Sequence, residues 1–160
     1  MLPLPAPSDL PAEDMFFCWD IRRVRMGGRV CLVALNVSTS LVGVFGNLDS
    51  GYLRRLDSLA SSSAYNAVRV HFGKDAAEAY LDAARPLVLT RTHGRSASGN
   101  LTQVARQLEG MEMDPDAGFQ FQAAMFFNEQ WVGKAAGFGN GWEMSAAERF
   151  AAKLEEFGLA

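Results

Sequence analysis

The stretch Thr90-Arg91-Thr92-His93-Gly94-Arg95-Ser96-Ala97-Ser98-Gly99-Asn100 holds the densest set of chemically capable groups in this 160-residue chain. Two guanidinium groups, an imidazole and several hydroxyls sit where an alternating segment, Leu87 to Thr92, gives way to a helix beginning near Ser98 to Leu101. Free N–H groups at a helix start, joined by Arg91 and Arg95, would hold a phosphate-like anion. His93 is the one acid–base group beside them. The plainer reading is a solvated turn in which Ser96, Ser98 or Asn100 caps the helix. On that reading one of the two arginines is locked by carbonyls or a carboxylate and His93 is exposed.

A second constellation is Arg22, Arg23, Arg25 and Arg29, four guanidinium groups around one tight turn. Such a turn contacts phosphates or an acidic protein surface. No aromatic residue interleaves on the turn itself, which favours a protein surface or plain solvent over nucleic acid. The candidate binding residues are therefore Arg22, Arg23, Arg25, Arg91, Arg95 and Asn100. If the chain is an enzyme, Arg91, His93 and Arg95 are its candidate catalytic residues. No metal site and no cofactor is expected: two histidines and the separated Cys18 and Cys31 offer no ligand spacing. The glycines at 137, 139 and 141 lack the strand and the spacing of a phosphate loop, and read as a connector.

The elements that must position these groups follow from periodicity. Phe17, Trp19 and Ile21 alternate with Cys18, Asp20 and Arg22, which predicts a strand whose buried face holds Trp19 and Ile21. Met26-Gly27-Gly28 supplies a hairpin turn, and Arg29 to Asn36 is apolar on both faces, as a central strand is. A disulfide between the cysteines is not expected, because Cys31 would pair with a residue near 22 to 24. Residues 37–48 and 119–131 each fit either helix or strand. Tyr52 to Leu59 has helical spacing, closed or interrupted by the Ser61-Ser62-Ser63 run. Val68, Val70 and Phe72 suggest an extended stretch that would place His71 on a strand face. Helices are expected at Ala76 to Ala84, at Leu101 to Leu108, and after the capping box Ser145/Glu148.

These elements give an α+β fold: an antiparallel sheet with an N-terminal hairpin, packed against several helices and ending in an amphipathic helix. Residues 1–14, with Pro3, Pro5, Pro7 and Pro11, read as an extended arm. Residues 15–160 read as one domain, with 131–160 its Gly-rich loop and last helix. Apolar residues are 49% and charged residues 21%, a globular composition. The apolar run from Val30 to Leu48 contains Asn36, a Ser-Thr-Ser run and two glycines, so a membrane span is not expected. No secretory signal pattern precedes it, and a cytoplasmic location is expected. Net charge is −3, mildly basic over residues 1–110 and acidic over residues 111–160, which disfavours general nucleic-acid binding.

Thr90-Arg91-Thr92, Arg95-Ser96 and Gly99-Asn100 resemble the motif T-K/R-T-x-x-R-S-x-x-G-S-M-N of an uncharacterised bacterial domain family. That family also opens on a Trp strand, a basic turn and a return strand ending in Asn, then a Ser/Thr-rich apolar segment. Trp19, Arg22-Arg23, Cys31 to Asn36 and Thr39 to Phe45 follow that order, and Phe126-Phe127-Asn128 matches a later Asn. The resemblance spans about residues 15–130. It implies a shared fold, no known activity, and weight on Arg91, Arg95 and Asn100.

Two functions follow as expectations. The first is a non-enzymatic binding module recognising another protein, with nucleic acid as the lesser partner. One form would be a mobile-element-encoded inhibitor of a bacterial defence system, anti-CRISPR-like. The alternative is a small hydrolase or nuclease-like enzyme acting on a phosphate-containing substrate through the 90–100 loop.

Overall fold

Gly27 and Gly28 take φ of 56° and 84°, the double left-handed turn that matches the twist of an antiparallel hairpin. They join β1 (Trp19–Met26) to β2 (Arg29–Asn36) in a continuous register from Trp19↔Asn36 to Met26↔Arg29. This computed structural model describes residues 14–84, 95–129 and 144–160, with 95–98 as backbone only. The expected segments at residues 1–13 and 87–92, and the Gly-rich loop from 133 to 141, lie outside them. The strand begins at Trp19, and Phe17 belongs instead to a 3₁₀ turn, Met15–Phe17, capped by Asp14 Oδ1 accepting from Phe16 N at 2.8 Å.

Residues 37–48 resolve as a turn and a strand, β3 (Val42–Phe45), antiparallel to β2 from Leu35↔Val42 to Leu32↔Phe45. The sheet order is β1-β2-β3, so β2 is central as its two apolar faces require. The outer edge of β3 is closed by side chain and loop. Gly46 N donates to Gly118 O at 2.7 Å, Gln120 N donates to Val44 O at 2.8 Å, and Asn128 occupies Val42. An unpaired edge invites another strand, and this one is covered.

After a 3₁₀ turn (Tyr52–Arg55), α1 (Leu56–Phe72) runs through the serine run and through Val68, Val70 and Phe72. The expected break at Ser61–Ser63 and the expected extended stretch at 68–72 are both corrected, and His71 lies on a helix. The small residues are what the packing needs. Ser63 O lies 2.6 Å from where a Cβ on Gly43 would stand, so helix and sheet meet backbone to backbone. Tertiary contact outweighs the strand propensity of two valines. The chain continues through α2 (Lys74–Ala84), α3 (Arg95–Leu108), α4 (Phe121–Glu129) and α5 (Ala146–Glu156). Helix α4 settles the second ambiguous segment. The capping box of α5 is present, with Glu148 N donating to Ser145 Oγ at 3.2 Å.

Helices cover the sheet on both faces. On one, Val24, Met26, Val33, Leu35, Val42 and Val44 meet Leu101, Val104 and Leu108 of α3, with Phe127 of α4. On the other, α1 crosses β3 and β2, and Phe16, Tyr80 and Phe150 form an aromatic cluster with Trp19 and Phe72 at its margin. Ring centroids lie 4.7 Å apart for Phe16–Phe150 and 5.1 Å for Phe16–Tyr80. Pairs of this kind add about 0.5–1.5 kcal/mol beyond area burial. The expected orientation of β1 is corrected here: Asp20, Val24 and Met26 are buried, while Trp19 and Ile21 are only half-buried. Neither cysteine forms a disulfide, and Cys31 is buried beside Val24.

Candidate functional site

The tip of the β1–β2 hairpin carries the exposed cationic group that the sequence foreshadows. Strand alternation puts Arg23 and Arg25 on one face of β1, opposite Leu32 and Val30 of β2, while Arg29 follows the turn on the other face. All three are exposed, and none forms an ion pair among the described residues. The tip is nonetheless rigid. Arg25 Nη1 donates to Gly28 O at 2.8 Å, and Gly27 N donates to Leu108 O at the end of α3 at 3.3 Å. A Cβ at Gly27 would stand 2.6 Å from Met111 O, so the turn is seated directly on the segment after α3. That segment brings the exposed Glu109 and Glu112 to the same end of the molecule, which gives the surface a mixed pattern of charge.

Arg22 differs from its neighbours. It is half-buried, and its Nη1 donates to Thr102 Oγ1 of α3 at 2.9 Å, tying strand to helix. Asn100 likewise turns inward: its Nδ2 donates to Ser40 Oγ at 3.2 Å. Arg95 opens α3, a few residues ahead of the expected start. Arg91 and His93 lie outside the described residues.

Ser40 holds a left-handed φ of 65°, unusual for a residue with a side chain. Around its turn the structure gathers a polar network that periodicity alone does not reveal. Asn36, fully buried, accepts from Thr39 N at 3.0 Å and Thr39 Oγ1 at 2.9 Å, and donates to Phe16 O at 2.8 Å. Tyr80 OH donates to Phe16 O at 2.6 Å and accepts from Trp19 Nε1 at 2.8 Å. Arg149, also fully buried, donates from Nε and Nη2 to Thr39 O at 3.1 and 2.6 Å, and from Nη1 to Met144 O. Burial lowers its pKa to about 10, so it stays cationic at neutral pH. Among the described residues every buried side-chain nitrogen and oxygen has a partner, so the network is a fastening rather than an open reaction site.

Asn128 is the third polar anchor, and the sequence flags it only as an Asn after an apolar run. Its Oδ1 accepts from Val42 N at 2.7 Å and its Nδ2 donates to Val42 O at 2.9 Å, so the amide imitates a neighbouring strand. His71 Nε2 lies 3.0 Å from the same Nδ2. Burial pushes the His71 pKa below its ordinary value, partly offset by the Glu129 carboxylate. Burial also raises the Cys31 thiol to about 11, which leaves it protonated and unreactive. No group of acidic, histidine or cysteine side chains among the described residues is arranged to hold a metal ion. No helix there is long and apolar enough to cross a membrane.

The motif residues Asn36, Thr39, Asn100 and Asn128 thus converge on the β2–β3 turn, and their bonds are internal. No curated protein and no solved structure matches this chain. Residues 2–140 match one family across most of the chain's length, and the chain belongs to the domain-of-unknown-function family DUF6933.

Proposed function

We propose that the chain is a non-enzymatic binding module that presents its hairpin tip to an acidic surface of another protein. The observation carrying this reading is the trio Arg23, Arg25 and Arg29, exposed on a rigid turn and without a carboxylate partner among the described residues. Arginine is the cation most often found in protein interfaces, where its planar fork meets carboxylates with little loss of freedom. The strip beside it is partly aliphatic, since Arg25 stands opposite the half-buried Val30. Glu109 and Glu112 nearby, and the net charge of −3, favour a protein surface over a nucleic-acid backbone.

The experiment is affinity capture from nuclease-treated lysate of the source cells, with the wild-type chain and the triple variant Arg23→Glu, Arg25→Glu, Arg29→Glu. The wild type is expected to retain a protein that the variant loses, and added salt is expected to weaken the capture because the contacts are exposed. Equal capture by both chains would contradict the reading. So would a signal that disappears with nuclease treatment.

A further inference from the structure

We propose that His71 and Asn128 form an acid-sensitive latch that pins the end of α4 to the outer edge of β3. The geometry leaves the two side chains one arrangement. Val42 N–H must meet an acceptor, which fixes Asn128 Oδ1 at 2.7 Å and turns Nδ2 toward Val42 O at 2.9 Å and His71 Nε2 at 3.0 Å. An amide nitrogen has two hydrogens and no lone pair to offer, so it serves these two acceptors and nothing else. His71 Nε2 therefore carries a bare lone pair, and the ring's proton sits on Nδ1. Protonation of Nε2 sets N–H against N–H across 3.0 Å. Asn128 cannot answer by flipping, because its oxygen would then face Val42 O and its nitrogen Val42 N–H.

The surroundings leave the latch sensitive to acid. Among the described residues Glu129, next to Asn128 on α4, is the charged group that acts on the ring, and it favours the imidazolium. Strand β3 contributes only uncharged residues, Val42 to Phe45. Helix α2 begins with exposed Lys74 and Asp75, and Lys74 lies 3.7 Å from Glu78 on its own helix. On α5, Arg149 is directed at Thr39 O and Met144 O, and Lys153 pairs with Glu156 at 3.0 Å. Arg69, the remaining cation near the end of α1, is exposed.

The sign follows from linkage. The folded-state pKa of His71 lies below its ordinary value of 6.5, so the unfolded or unlatched chain takes up the proton more readily. The latch's contribution is whole above 6.5 and is lost as pH falls through the lower, folded-state value. Unlatching frees the Val42 N–H and C=O and releases the end of α4, whose Phe126 is already 45% exposed.

The test is an NMR titration of the His71 ring, with the hydrogen-exchange protection factor of the Val42 amide measured on the same samples. The ring is expected to titrate below 6.5. Val42 protection, corrected for intrinsic exchange, is expected to fall as the pH is lowered through the range in which the ring titrates, below 6.5. In Asn128→Asp the carboxylate gives Nε2 an acceptor to donate to, and the midpoint should rise above 6.5. In His71→Gln the protection should become independent of pH. A wild-type ring titrating at or above 6.5, or wild-type protection that does not change with pH, overturns the latch whether or not either variant folds.

Discussion

Arg149 shows what a single buried side chain can fasten. Its guanidinium reaches from α5 to the β2–β3 turn and donates to Thr39 O and Met144 O with no exposed surface of its own. Replacing it with methionine keeps most of the volume and removes the donors, which leaves buried carbonyls unpaired. Arg149→Met is expected to cost roughly 1–3 kcal/mol in a urea melt with little change in the slope of the transition. An unchanged midpoint would mean that water replaces the guanidinium freely. Arg149 was not legible in the sequence, because on an amphipathic helix a lone arginine reads as solvent-facing. Tyr80 escaped for a similar reason, its hydroxyl partners Trp19 and Phe16 lying more than sixty residues away. Asn128 is legible only as a member of a familiar pattern, and Asn100 as that or as a helix cap, neither of which foretells its bond to Ser40.

Elements with local signals were read correctly, and those decided by distant packing were not. The hairpin turn is written in Gly27-Gly28 and the start of α5 in Ser145 and Glu148, and both appear as expected. The continuation of α1 through three serines and two valines depends on Gly43, whose missing side chain lets the helix approach. Nothing near residues 61–72 announces that. The orientation of β1 fails on a related point: with helices on both faces of the sheet, alternation no longer separates inside from outside, and buried Asp20 shares a face with Val24 and Met26. The two turn glycines should respond unequally to alanine. Gly28 meets only the strain of a positive φ, whereas a Cβ at Gly27 also strikes Met111 O at 2.6 Å. Gly28→Ala is expected to cost about 1 kcal/mol and Gly27→Ala about 2–3 kcal/mol in thermal or urea unfolding. Equal losses would show that the tip does not rest on the end of α3.

At the scale of the whole molecule, the two ends of the sheet have different work. Around the β2–β3 turn, polar side chains are buried and bonded to one another, and the aromatic cluster of Phe16, Tyr80 and Phe150 packs beside them. At the opposite end, the β1–β2 tip leaves Arg23, Arg25 and Arg29 exposed above a rigid seat. The candidate binding residues whose side chains are described divide between inward bonds and solvent. Arg22 and Asn100 bond inward, to Thr102 and Ser40, while Arg23 and Arg25 face solvent. The central claim is that a partner protein docks on the tip, and site-directed photo-cross-linking tests it most directly. A photoreactive residue placed at Arg25 is compared with one at Glu78, an exposed position on α2. The claim predicts that the captured protein is cross-linked from position 25 and not from position 78; cross-linking from position 78 alone would contradict it.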